Sequence, residues 1–239
     1  MKVALPLIVL AVLIGVFWIS KDFVFPSGYW NYRMTVEVET PEGLKQGSAV
    51  RRISYHTEPS LFPGQGGALY YVSQGQAVVV DLGKRGLLFA TMGQDYAHNV
   101  ALQSFPLREK TPIGTKVTLA PERYPPLVHF RDLNDPRTIE HSYGHEMRDV
   151  PCAPVDHGTQ PTHCRGPVFA DHLEEQFGSG VKLKEISIEV TNDSVTTGIE
   201  NWLPWLSQMR GYLSGEHTCH GTELFACMDT SAFYRGLHK

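Results

Sequence analysis

The sequence predicts an α+β fold: one N-terminal transmembrane helix, then a mainly antiparallel β domain with long loops and few short helices. Three observations carry this reading. Residues 3–20, VALPLIVLAVLIGVFWIS, hold no charge. Residues 32–39 alternate apolar with polar side chains, the period of a half-buried strand. Finally, 22 glycines and 16 prolines in 239 residues favour turns and connections over packed helices.

The apolar run comes first. Eighteen residues at ~1.5 Å each reach about 27 Å, close to the thickness of a hydrocarbon core. A cleaved signal peptide needs small residues ahead of the cut, whereas the exit here, VFWISKDFVFPSGYW, is bulky almost throughout. The run therefore reads as an uncleaved anchor. Trp18, Tyr29, Trp30 and Tyr32 fit an aromatic belt at the far interface. Lys2 and the amino terminus on one side are balanced by Lys21 and Arg33 on the other, so charge does not orient the segment. A short tail before an apolar run is the usual form of a signal anchor, which would put residues 21–239 outside the cytoplasm. The division that follows is an anchor and interfacial segment over 1–28 and an extracytoplasmic domain over 29–239, with 91–180 rich in loops.

Within that domain, Tyr32, Met34, Val36 and Val38 face one way and Arg33, Thr35, Glu37 and Glu39 the other. Pro41-Glu42-Gly43 supplies a turn, and Gly47–Tyr55 the partner strand. QAVVVDL at 76–82 is apolar enough for a buried strand, joined by GKRG to LLFA at 87–90 as a hairpin. Asp95–Phe105 and Pro167–Phe177, the latter closed by Gly178, read as weakly helical. VKLKEISIEV at 181–190 resumes the strand pattern. Its apolar positions shift from odd to even, which predicts a bulge near Lys184 or Glu185. Ile199, Trp202, Leu203, Leu206 and Met209 follow helical spacing, with Pro204 as a kink. Trp202 and Trp205 are either core or an exposed partner surface, because two large aromatics so close in sequence are costly to hide together.

YRMTVEVETPEG, QGQAVVVDLGKRGLLFA and IEVTNDSVTTGIENWLPWL, about a fifth of the chain, resemble segments of small, uncharacterised proteobacterial proteins with one N-terminal membrane segment or signal. The resemblance implies an inner-membrane or periplasmic setting and brings no activity with it.

All four cysteines, Cys152, Cys164, Cys219 and Cys227, lie in the last 90 residues within Gly/Pro/His-rich stretches. An oxidising compartment would let them staple an irregular region. Four cysteines allow three pairings. The local one, 152 with 164 and 219 with 227, closes small loops contributing about 2–3 kcal/mol each. EHTCHGTELFAC at 216–227 has Glu216 where covalent haem attachment needs a cysteine. A zinc site from His217, Cys219, His220 and Cys227 would require two adjacent side chains to aim at one ion. A structural disulfide is the simpler reading.

His141, His145, His157, His163 and His172 crowd into 32 residues. His141 and His145 would share a face on a helix, although Gly144 weakens one there and Glu146 follows the second histidine instead of the first. No nucleophile elbow or phosphate loop accompanies them. Scattered charges, net −4, give no Lys/Arg stripe for nucleic acid. These readings point to a single-pass protein whose periplasmic domain binds another protein, as an accessory or structural subunit of a membrane complex, through Trp18, Tyr29, Trp30, Trp202 and Trp205, with no cofactor. The opposing expectation is a periplasmic metal carrier or metal-dependent enzyme holding zinc or copper on His141, His145, His157 and His163.

Overall fold

The structure is a computed structural model and describes residues 27–57, 67–92, 100–105, 110–151, 164–213 and 228–236. The expected anchor at 3–20 and Trp18 lie outside these. Among the described residues no helix is long and apolar enough to cross a membrane.

The alternating stretch forms β1 (Ser27–Thr40), which turns at Pro41-Glu42 into β2 (Gly43–Thr57). Gly43 takes φ +114 at the turn, a conformation other residues rarely adopt. The Thr40 hydroxyl donates to the Gly43 carbonyl at 2.7 Å. Chain order continues with β3 (Ala68–Gln76), β4 (Val78–Asp81), β5 (Leu87–Ala90), α1 (Val100–Ser104), β6 (Lys116–Thr118), β7 (Leu127–Phe130), β8 (Ile139–Val150), β9 (Cys164–Asp171), α2 (Leu173–Phe177), β10 (Lys182–Thr191) and β11 (Tyr234–Arg235). These build two antiparallel sheets, one ordered β11-β3-β2-β1-β10-β6 and the other β4-β5-β7-β8-β9.

Trp30, Tyr32, Met34, Val36 and Val38 of the first sheet meet Val78, Val80, Leu88 and Leu127 of the second in one core. The second sheet is covered on its other face as well, where Phe89, Val128 and Phe130 pack against Ile199, Leu203, Leu206 and Phe233. Burial on both faces explains why 76–82 and 87–90 read as continuous apolar runs. The two sheets come close together at Gly47, where an added Cβ would lie 2.0 Å from the Val79 carbonyl oxygen.

β3 and β4 are one strand path that leaves the first sheet and enters the second, broken only at Ala77. Arg51, 1% exposed, clamps that crossing. Its Nε donates to the Gln76 carbonyl at 3.0 Å, and its Nη2 to the carbonyls of Ala90 and Thr91 at 3.2 Å each. The Gln76 side chain accepts from the Ile199 amide at 3.0 Å. Ala77 and Met92 amides donate to the carbonyls of Phe233 and Ala232, so the C-terminal segment laces both sheets.

Several expectations meet the coordinates directly. The hairpins form, and the β1/β10 register slips between Glu37 and Val38, which pair with Glu185 and Leu183 and leave Lys184 as the extra residue. Other expectations need correction. Residues 167–171 belong to β9, and the helix covers only Leu173–Phe177, closed by Gly178 at φ +97 with its amide on the Glu174 carbonyl. HSYGHE lies in β8 and not on a helix. The 199–209 stretch is a 3-10 turn followed by further turns, in which helical spacing served to bury Ile199, Leu203 and Leu206 without a regular helix. The 91–180 region, read as loops, contributes β6, β7, β8 and β9, whose His, Gly and Pro content hides the strand period.

Candidate functional site

On the outer face of the first sheet, Asn31 of β1 stands opposite Arg52 of β2 on one side and Thr191 of β10 on the other. Arg52 Nε donates to Asn31 Oδ1 at 3.1 Å, and Asn31 Nδ2 donates to the Asp193 carbonyl at 2.8 Å. The Asp193 amide in turn donates to Thr191 Oγ1 at 3.1 Å, and the Asp193 carboxylate is held by Arg33. The Arg52 guanidinium carbon lies 4.2 Å from the centroid of the Tyr29 ring. A cation over an aromatic face at that distance contributes about 0.5–1 kcal/mol when exposed. One guanidinium is thus fixed from below by an aromatic ring and from the side by a relay of three hydrogen bonds.

Above this relay opens a groove of about 560 Å³, bordered by Tyr29, Arg52, Lys110, Ile113 and the 190–194 segment. Among the described residues, neither terminal nitrogen of Arg52 hydrogen-bonds to the protein and no carboxylate pairs with Lys110. The groove therefore offers a planar pair of N–H donors and an ammonium beside two exposed apolar side chains, Tyr29 at 64% and Ile113. Leu69, also exposed, lies on the same face of the sheet, where His56, its partner across the β2/β3 ladder, meets the Tyr71 ring edge-on.

The predicted aromatic residues divide. Tyr29 is in the groove wall. Trp30 borders the groove but turns its ring into the core, 8% exposed and edge-on to Phe105 at 6.0 Å. Trp205 packs against Phe130 and Phe233 and donates its indole N–H to the Leu133 carbonyl at 2.9 Å, which makes it a core residue. Trp202 is 41% exposed.

The predicted metal ligands do not assemble among the described residues. His157 and His163 lie outside them. His141 is buried and His145 exposed on β8, with roughly 13 Å of extended strand between positions four residues apart. His172 follows β9, its ring 6.3 Å from that of His141 and its Nδ1 3.3 Å from Glu175. Among the described residues no three His, Cys, Asp or Glu side chains gather as ligands for an ion.

One arrangement has the composition of a catalytic triad. His129 Nδ1 lies 3.2 Å from Ser142 Oγ, and its Nε2 lies 3.5 Å from Glu140, which also binds Arg131 at 2.8 Å. Yet Ser142 is fully buried and Phe177 lies edge-on to the imidazole at 5.2 Å, so the hydroxyl meets no substrate. Burial lowers the His129 pKa, with Glu140 opposing and Arg131 reinforcing the shift. The group ties β7 to β8 as structure.

Cys164 is disulfide-bonded. The cysteine it joins lies outside the described residues, as do Cys152, Cys219, Cys227 and the whole of EHTCHGTELFAC.

Sequence reasoning reached Tyr29 but missed Arg52, Asn31, Lys110 and Asp193. The first two were within reach, because the Pro41-Glu42 turn sets the hairpin register that brings them together. No family model matches the chain, and neither a curated protein nor a solved structure matches it.

Proposed function

We propose that this chain is a single-pass bacterial inner-membrane protein whose periplasmic β-sandwich binds another protein, as an accessory or structural subunit of a membrane complex. The charge-free run at 3–20 supports the anchor. The observation that carries the binding role is the groove, where an exposed tyrosine supports an open guanidinium two residues beyond the start of β1. Aromatic rings and arginines are enriched at the energetically dominant positions of protein interfaces, the rings because they bury large area at small entropic cost and arginine because its planar fork makes several directed hydrogen bonds. Trp202 adds a second exposed aromatic.

The test is copurification of the intact protein in mild detergent. Tyr29→Ala should melt like wild type and recover at least tenfold less of its partner. A folded Tyr29→Ala protein that retains full recovery would show that the groove is not the contact. An N-terminus mapped after residue 20 in the mature protein would remove the anchor from the reading.

A further inference from the structure

Given the protein-binding role above, we infer that the groove takes a carboxylate from an acidic segment of the partner, seated on the Arg52 fork. The chemistry follows from what the relay leaves open. Asn31 occupies Nε, so Arg52 keeps two terminal N–H groups in one plane, the geometry that a carboxylate meets with two parallel hydrogen bonds. The tyrosine ring beneath and the Asn31 relay beside it hold that plane before anything binds, which removes much of the ordering cost of binding. Lys110 adds a second positive charge on the groove wall.

Charge decides between the anions that could sit there. Arg33 holds the Asp193 carboxylate but is shared with Glu189, so the charged side chains lining the groove are Arg52 and Lys110 against Asp193, positive by one. That suits singly charged carboxylates. A doubly charged phosphate would exceed that single net charge and lie beside the Asp193 carboxylate. An anionic bilayer surface is held by clusters of four to eight Lys/Arg, whereas two, Arg52 and Lys110, line this groove, and the chain's net charge is −4. About 560 Å³ accommodates a few peptide residues, and Tyr29 and Ile113 flank the fork with apolar surface for their side chains.

The full chain in nonionic micelles is titrated with fluorescein-labelled tetraglutamate and matched tetraglutamine. Inorganic phosphate, glutarate and micellar phosphatidylglycerol serve as competitors. Tetraglutamate should bind at least tenfold more tightly than tetraglutamine, glutarate should displace it better than phosphate, and Arg52→Gln should lower its affinity at least tenfold. Arg52→Lys should fall between, because it keeps the charge and loses the fork. Lys110→Gln should weaken binding severalfold. Equal affinity for the two peptides overturns the inference, as does absence of tetraglutamate binding or stronger displacement by phosphate or phosphatidylglycerol. If Arg52→Gln does not fold, an unchanged affinity in Lys110→Gln overturns it instead. Copurification keeps the two readings apart. A partner that stays on folded Arg52→Gln protein removes the carboxylate seat and leaves the complex. A wild-type protein that binds tetraglutamate but recovers no partner removes the complex and leaves the seat.

Discussion

Arg51 and Arg52 are neighbours in β2 and have opposite environments. Arg51 points between the sheets, is 1% exposed, and spends its donors on three backbone carbonyls at the strand crossing. Arg52 points outward, rests on Tyr29 and keeps its terminal donors open to a groove. Successive side chains of a strand face opposite sides. The lesson is that the same residue type becomes structural or available according to parity alone, and that parity here is set by one hairpin turn.

The comparison breaks most visibly at the crossing. Arg51→Ala leaves the Gln76, Ala90 and Thr91 carbonyls without that donor and opens a void, so stability should fall by about 3–5 kcal/mol in denaturant unfolding. Next in size is Gly47→Ala. Its methyl would meet the Val79 carbonyl, and separating the sheets to admit it should cost about 1–3 kcal/mol, with a lower melting temperature as the readout.

Acidification should act on the half-buried His129. The folded His129 pKa lies below the unfolded value because burial disfavours its charged form. Its contribution to stability is therefore fully present above the unfolded pKa of about 6.5 and is lost as pH falls through the folded value. Unfolding measured between about pH 7.5 and about pH 5 should show stability declining, and His129→Gln should flatten that part of the profile.

The smallest expected stability effect sharpens the contrast. Arg52→Gln gives up the ring contact and the Nε hydrogen bond to Asn31 and should lower unfolding free energy by about 1 kcal/mol, while lowering tetraglutamate affinity. A loss near that of Arg51→Ala would show that the outer arginine is structural too.

How much of this was legible depended on distance along the chain. β1 and β2 follow from alternation and a two-residue turn, and counting back nine residues on each strand from Thr40 and Gly43 brings Asn31 opposite Arg52. The bulge at Lys184 shows as a phase change in the apolar pattern. Asp193 and Lys110 were not legible, because they reach the groove only through the pairing of β10 with β1 and of β6 with β10, contacts that no local pattern encodes. β8 and β9 were obscured for another reason. His145 and Phe169 are exposed, and Gly144, Gly166 and Pro167 interrupt the sequence pattern, so the usual apolar period is missing. The 199–209 segment misled in the opposite direction, since buried residues at helical spacing need only successive turns to reach one core.

The lacing of residues 228–236 across both sheets has a kinetic consequence. Phe233 and Ala232 hold the crossing at Ala77 and the strand exit at Met92, and Tyr234 pairs with Gln76. The chain must therefore bring together segments far apart in sequence before the sandwich is complete, and folds dominated by such distant pairings assemble in milliseconds to seconds. During that interval the β1–β2 hairpin, which needs only local contacts, forms with Trp30, Tyr32, Met34 and Val36 still uncovered. Those side chains are covered when β4 and β5 bring Val78, Val80 and Leu88 against them, so the apolar face of the hairpin is closed by the second sheet, and the C-terminal segment then locks the crossing.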